Sequence, residues 1–265
     1  MARLGRFTYE PDVAATYDQT RSASPSVVRL LSDRLRGAPG RRLADLGGGT
    51  GNYSAALRDE DGFEPLVVDV SRPMLERAAA KGLATLEADV QELPFPDASF
   101  DAVTLISMIH HVPDRRAAFA EARRVLRPGG RLAHKGFVRE QGDVFWPLDY
   151  FPSTRGWFEP THPPLDELLE ELPGGRVTPI VFGDFDDQSL AALSRDPKRV
   201  LAAGRELRTS FFGRLSRDAP DELECGLEAL ERDLRAGRRP DLDPRVLEAR
   251  ERLGDATLVC WTKPA

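Results

Sequence analysis

Ala44-Asp45-Leu46-Gly47-Gly48-Gly49-Thr50-Gly51-Asn52-Tyr53 is the stretch on which the reading of this chain turns. An apolar run from Arg41 to Leu46 reads as a buried strand, and it breaks into alternating glycines before a helix opens at Asn52. Gly47, Gly49 and Gly51 permit positive φ and let a ligand approach main-chain atoms that a Cβ would shield. A strand, a glycine turn and a helix N-terminus in that order form a nucleotide-binding arrangement. The plainer reading is a tight connection that needs glycine for geometry alone. The dinucleotide fingerprint G-x-G-x-x-G fits badly, because its last place falls on Asn52 counted from Gly47 and on Ser54 counted from Gly49.

Working outward, Ser24-Pro25 starts a lead-in helix with Val27, Val28, Leu31 and Leu35 on one face, and Gly37 and Pro39 stop it. After the turn, Pro65-Leu66-Val67-Val68-Asp69-Val70 is an apolar run too short for a helix and reads as a buried parallel strand ending in an acid. A helix over Pro73 to Ala80 stops at Gly82, and Ala84 to Ala88 supplies a third strand. A fourth strand runs from Phe100 to Ser107. Asp114 then caps a helix carrying Ala118, Ala122, Val125 and Leu126, and Arg131 to Val138 forms a fifth strand.

The glycine stretch resembles the first motif of class I S-adenosylmethionine-dependent methyltransferases, acidic-x-G-x-G-x-G, with Asp45, Gly47, Gly49 and Gly51 on its marked positions. A second, more specific likeness lies in Asp89-Val90-Gln91-Glu92-Leu93-Pro94-Phe95-Pro96-Asp97-Ala98-Ser99-Phe100-Asp101, which follows the family's D-x-x-x-L-P-F-x-D-x-S-F-D over most of its length. Ser107-Met108-Ile109-His110-His111-Val112-Pro113-Asp114 and Arg127-Pro128-Gly129-Gly130 continue the likeness, and Tyr17-Asp18-Gln19-Thr20-Arg21 resembles the family's arm over the cofactor. The span from Tyr17 to Phe137 is covered, and it looks closest to the group containing ubiquinone/menaquinone C-methyltransferases and bacterial small-molecule methyltransferases. The resemblance implies S-adenosyl-L-methionine as cofactor and S-adenosyl-L-homocysteine as product. It further implies that Asp69 binds the ribose, Asp89 the adenine amino group and Val90 the ring through its N–H. Tyr17 and Arg21 would approach the methionine end, with Val70, Met74 and Ser107 completing the cofactor contacts. His110 and His111 stand at a strand end where open α/β sheets bind ligands, as a general base or as a pocket wall.

Beyond Phe137 the sequence becomes individual. Phe137, Phe145, Trp146, Tyr150, Phe151, Trp157 and Phe158 crowd into a stretch broken by Pro147, Pro152 and Gly156, and they include about a third of the chain's aromatics. A proline-broken aromatic loop beside the ligand end of a sheet reads as the lining of an apolar acceptor pocket, with Phe145, Trp146, Tyr150, Phe151 and Trp157 as candidates. Tyr150 is also a candidate proton acceptor. The plainer reading is that these rings plug a core. Arg176 to Phe182 reads as a strand that Pro179 confines to a sheet edge, and Ala256 to Thr262 as a seventh strand. Helices at Gln188 to Leu193, Pro197 to Leu207, Pro220 to Ala236 and Pro244 to Leu253 separate them, the third with a stripe of Leu223, Leu227, Leu230 and Leu234.

The expected fold is therefore α/β: a Rossmann-like, seven-stranded, mostly parallel sheet with its last strand antiparallel, sandwiched by helices, with a helical cap between strands six and seven. Residues 1–40 would form an arm and lead-in helix, 41–185 with 255–265 the cofactor-binding core, and 186–254 the cap, acting as a lid or a dimer contact. The 265 residues carry a net charge of −6, which argues against nucleic acid as partner. No run is long enough to span a membrane and the start lacks the apolar core of a signal peptide, which predicts a cytoplasmic protein, monomeric or homodimeric. Two distant cysteines read as buried free thiols, and four histidines without ligand spacing predict no metal. The function expected is methyl transfer to an apolar, aromatic small molecule at oxygen, nitrogen or carbon, in natural-product biosynthesis. A non-catalytic cofactor-binding protein of the same fold and an NAD-dependent oxidoreductase are the rivals, with a nucleic-acid or protein methyltransferase opposed by the acidic balance.

Overall fold

The computed structural model describes residues 17–19, 21–183 and 188–265. The expected arm through residue 16, together with Thr20, lies outside the described residues, as does the stretch 184–187 where the cap begins. Helix α1 (Pro25–Leu35) buries Val27, Val28, Leu31 and Leu35 as their spacing requires. Ser24 occupies its N-cap position but makes no side-chain cap bond, so the proline in the first turn supplies the start.

Seven strands follow: β1 (Arg42–Leu46), β2 (Glu64–Asp69), β3 (Ala84–Glu87), β4 (Phe100–Ile106), β5 (Leu126–Gly136), β6 (Arg176–Ile180) and β7 (Ala256–Thr262). They form one sheet in the order β3-β2-β1-β4-β5-β7-β6. All neighbours are parallel except β7, which runs antiparallel to both β5 and β6. β6 is an edge strand, where Pro179 costs no ladder bond on its open side. The chain order reverses between β1 and β4, so the C-terminal ends of these strands open a crevice, the usual ligand position in such sheets.

Helices α2 (Asn52–Asp61), α3 (Arg72–Ala80) and α4 (Arg115–Val125) cross over between the parallel strands. Asp114 caps α4, its side chain accepting the Ala117 N–H at 3.0 Å. One sheet face packs α4 and α5 (Leu165–Glu171) through Leu105, Phe119, Leu126 and Leu168, and the other packs α1 through Leu31, Ala133 and Leu258. The fifth strand begins at Leu126, five residues earlier than the sequence predicts. Val125 ends the helix and the extended chain pairs Leu126 with Phe100 before a bulge restores register at Arg131.

Between β6 and β7 lie α6 (Leu190–Leu193), α7 (Pro197–Arg205), α8 (Ser210–Asp218), α9 (Pro220–Arg235) and α10 (Pro244–Leu253). Helix α8 was not foreseen. Thr209 caps it by accepting the Phe212 N–H, and Phe212 and Leu215 are its buried residues. These helices share a hydrophobic cluster with Trp146 and Phe151, and Leu223 and Leu230 of the leucine stripe lie inside it. Asp255 anchors the unit to the sheet by accepting from Phe182 N at 3.0 Å, Arg195 Nη1 at 3.1 Å and Arg250 Nε at 2.6 Å. Both cysteines are free, but Cys225 is exposed on α9 and only Cys260 is largely covered, so one of the two expected buried thiols is at the surface. Among the described residues no helix is long and apolar enough to cross a membrane, and no cluster of three metal-ligating side chains occurs.

Candidate active site

The glycine turn takes the geometry its sequence requires. Gly47 donates to the Val68 carbonyl at 2.7 Å, and Gly51, at φ 72°, is the N-cap of α2. A Cβ at Gly47 would lie 2.6 Å from Met108 Cε, so that glycine lets β4's following loop pack beneath the turn. Gly49 differs: its φ is +56° and nothing lies within 4 Å of where its Cβ would stand. Its open side is the face that a ligand can meet.

Asp45 lies beneath the turn rather than on it. It is 2% exposed, and its two oxygens accept from Ser54 Oγ at 2.6 Å and Thr104 Oγ1 at 2.8 Å. Burial pushes its carboxyl up to about 6 against these two hydrogen bonds. The first acid of the motif thus ties α2 and β4 to the turn, and it reaches no open surface. Asp69, at the end of β2, is placed where the sequence predicts. One oxygen accepts the Gly49 N–H at 2.9 Å and the other the Ser71 N–H at 2.8 Å, joining the glycine turn to the start of α3. Burial raises its carboxyl despite those backbone donors. Ser71, at the N-cap of α3, makes no side-chain cap bond, and its N–H goes to Asp69. Asp89 accepts from both the backbone and side-chain nitrogens of Gln91. Val90 and Met74 are buried, Val70 is half-buried, and Ser107 is exposed at φ 53°.

Asp18, which sequence reasoning passed over, docks the arm. Its carboxylate accepts from Thr50 Oγ1 at 2.6 Å and Asn52 Nδ2 at 3.0 Å, and pairs with Lys81 Nζ at 2.9 Å. Burial opposes the charge, but these donors hold its carboxyl below the ordinary range. Asn52 also donates to the Arg21 carbonyl, so Tyr17 and Arg21 are fixed beside the turn. The signal was an acid between two residues already singled out.

Four histidines gather at the C-terminal ends of β4 and β5. His110 lies 3.9 Å from His111 between ring centres and stacks on His162 at 4.9 Å, and His162 stacks on Phe158 at 3.7 Å. Phe137 meets Phe145, Phe158 and His162 edge-on. Burial, reinforced by the neighbouring imidazoles, lowers His110 well below 6.5 and brings His111 down to about 4. Burial likewise brings His162 and His134 to about 4, against a backbone hydrogen bond in each case. All four rings are therefore neutral near pH 7. His162 and His134 were not singled out from sequence; nothing in their spacing joins them to His110. Lys135 on β5 was missed too, and its Nζ donates to Ser107 Oγ at 2.9 Å.

Of the rings assigned to the pocket, Phe145 is half-buried against Phe137. Trp146 and Phe151 are corrections. They are 2% and 0% exposed inside the helical cluster, and Trp146 Nε1 donates to the Ser194 carbonyl at 2.8 Å. Tyr150 is a third, since its hydroxyl donates to Asp233 at 2.8 Å and its ionisation is pushed beyond the ordinary 10.0 by burial and that carboxylate. Near pH 7 it therefore stays protonated, with its proton directed at Asp233. Trp157 faces α8, with the Arg214 guanidinium 4.1 Å from its ring centre. A depression of about 470 Å³ between Arg58, Phe63 and Phe100 lies at the other end of the sheet and shares no residue with this site.

Residues 44–134 match the family described as a methyltransferase domain. The chain is 36% identical over 134 residues to 27-O-demethylrifamycin SV methyltransferase of Amycolatopsis mediterranei, covering 46% of this chain and 49% of that protein. It is 41% identical over 128 residues to demethylmenaquinone methyltransferase of Beutenbergia cavernae, covering 46% of this chain and 53% of that one. The chain spans about half the length of the curated relatives it matches. A crystal structure of a putative methyltransferase from an antibiotic biosynthesis pathway of Anabaena variabilis superposes with a TM-score of 0.72 at 25% identity, covering 92% of this chain and 99% of that one. The glycine turn, the strand order and the domain match agree: residues 44–134 are similar to a methyltransferase domain, carried on the sheet of the methyltransferase fold.

Proposed function

We propose that this protein transfers a methyl group from S-adenosylmethionine to an apolar, aromatic small molecule, in specialised metabolism. The observation that carries the cofactor assignment is the open face of Gly49, with Asp69 drawn against its N–H, in a turn where a Cβ elsewhere would collide. The bound cofactor supplies an electrophilic methyl on sulfonium, and little covalent work is left to the protein. Asp69 exchanges its contact with the turn for ribose hydroxyls, while Asp89 and Val90 bind the adenine. Tyr17 and Arg21, held by Asp18 and Asn52, stand at the methionine end.

His110, His111, His162, Phe137, Phe145 and Phe158 support the acceptor assignment. Their stacked, neutral rings form a wall suited to a flat apolar molecule, and they exclude water from the transfer. A base works best with an acidity constant near the operating pH. A histidine lowered to about 4 is a weak acceptor of protons, so we assign His111 to alignment, and His110, which burial also holds well below 6.5, to the same task. Alignment is the larger lever in any case, worth up to about 7–11 kcal/mol against about 10²- to 10⁴-fold for a base. The helices of 186–254 serve as the cap over this wall.

Calorimetric titration with S-adenosylmethionine, S-adenosylhomocysteine and NAD tests the reading. Both sulfur nucleotides should bind and NAD should not, and Asp69→Ala should weaken them about ten- to a hundred-fold, the value of a charged hydrogen bond. Binding of NAD alone would return the glycine turn to the dehydrogenases.

A further inference from the structure

At the end of the sheet away from the glycine turn, three arginines from three elements converge on one spot. Arg34 comes from the last turn of α1, Arg131 from the first half of β5 and Arg176 from the start of β6. The ladder sets their faces: Arg131 pairs with Thr262 and Arg176 with Cys260, two residues apart on β7 and so on one face of the sheet. Arg34 Nη2 donates to Thr178 Oγ1 at 3.3 Å, and Arg131 Nη1 to Thr262 Oγ1 at 2.6 Å. All three guanidiniums act on the Cys260 thiol, which burial nevertheless pushes up to about 12, so it stays uncharged between them.

What is missing from this cluster is an anion. Arginines elsewhere in the chain are mostly ion-paired, including each of those at positions 115, 116, 123, 124 and 127. None of the ion pairs among the described residues involves Arg34, Arg131 or Arg176. The Nε atoms of Arg34 and Arg131 are buried without a hydrogen-bond partner, which leaves the Nη groups to meet an anion. The C-terminal end of α1 offsets part of one positive charge, with Arg131 close to Gly37 there, but not three. Thr178 and Thr262 accept from the arginines, which leaves their own hydroxyl protons to donate. Arg176 and Thr262 are exposed and Arg34, Arg131 and Cys260 half-buried, so the cluster opens to solvent.

We propose that Arg34, Arg131 and Arg176, with the hydroxyls of Thr178 and Thr262, form a binding site for the phosphate group of a soluble ligand. A tetrahedral dianion matches three guanidiniums and two hydroxyls arranged around it better than a planar carboxylate does. The site shares no residue with the proposed methyl-transfer cleft, so it stands or falls separately.

Calorimetric and thermal-shift titrations of the full chain with sodium phosphate, against sodium chloride at matched ionic strength, test it. Saturable, phosphate-specific stabilisation is expected. It should weaken about tenfold or more in Arg131→Gln and in Arg176→Gln. The exposed Arg176 keeps the test valid if the Arg131 variant misfolds by circular dichroism. Equal responses to phosphate and chloride, or full retention of the phosphate response in Arg176→Gln, would overturn the proposal. Binding to phosphatidic acid vesicles without any response to soluble phosphate would also overturn it, by reassigning the patch to a lipid surface.

Discussion

Asp45→Asn should make the protein more stable at neutral pH, and the gain should disappear in acid. The wild-type carboxyl is 2% exposed, with Ser54 and Thr104, both 0% exposed, as its hydrogen-bond donors. Its acidity constant moves from the ordinary 3.8 to about 6. The folded state therefore holds a proton that the unfolded chain has already released between those two values. The contribution of the protonated form is fully present below 3.8 and is lost as pH rises through about 6. At about 1.4 kcal/mol per pH unit, the cost of the buried charge above that window approaches about 3 kcal/mol. Asparagine is nearly isosteric and never ionises; its oxygen accepts from one hydroxyl, and the other can turn to accept from its amide. Urea denaturation of both proteins from about pH 4 to about pH 8 measures the difference. The variant should gain about 3 kcal/mol on the wild type across that range. Parallel stability curves would refute the reasoning, because they would mean that Asp45 titrates alike folded and unfolded.

His134, 1% exposed and brought down to about 4 from 6.5, carries the opposite sign: its stabilising neutral state is present above 6.5 and lost as pH falls through about 4. His134→Gln should therefore remove up to about 3 kcal/mol of acid lability in the same urea series, and an unchanged acid limb would count against it. Gly49→Ala should cost only about 1 kcal/mol for its left-handed backbone yet weaken S-adenosylhomocysteine at least about tenfold, since its Cβ enters ligand space. Gly47→Ala, facing Met108 at 2.6 Å, should instead lower the melting temperature markedly, and equal effects of the two on both readouts would contradict the assignment of faces. Tyr150→Phe should lose about 1–2 kcal/mol of stability with its bond to Asp233 and leave nucleotide binding unchanged, whereas a specific loss of turnover would return Tyr150 to the chemistry.

The sheet was legible because its signals are local. Short apolar runs closed by glycine, proline or an acid fix every strand but β5 within a residue or two, and β7 falls on Ala256–Thr262 as expected. Pro179 announces an edge from chemistry alone. The turn was equally legible, since positive φ at Gly47, Gly49 and Gly51 depends on glycine and on little else. What could not be read is where a side chain goes when two destinations suit it. Asp45 and Asp69 are both acids at strand ends beside the turn. One lies beneath it holding two hydroxyls and the other lies across it, and only the packing of β4 against β1 tells them apart.

The aromatic stretch presents the same difficulty more sharply, because a ring that lines a pocket and a ring that fills a core have identical composition. Residues 155–162 resolve it by alternating their allegiance. Trp157 turns to α8 and stacks under Arg214, while its neighbour Phe158 turns the other way and stacks with His162 on His110. One short segment thus touches the helical unit with one ring and the candidate acceptor wall with the next. Trp146, Tyr150 and Phe151, earlier in the loop, are used up in the helical unit itself because α8, the helix the sequence concealed, brings Phe211 and Phe212 against Phe151. The candidate acceptor wall is consequently smaller than the sequence suggests and richer in imidazole, and four of its six rings lie beyond the matched residues 44–134. Specificity in this protein should accordingly follow Phe158 and His162, which stack on each other and on His110, more closely than the rings that the core of the helical unit consumes.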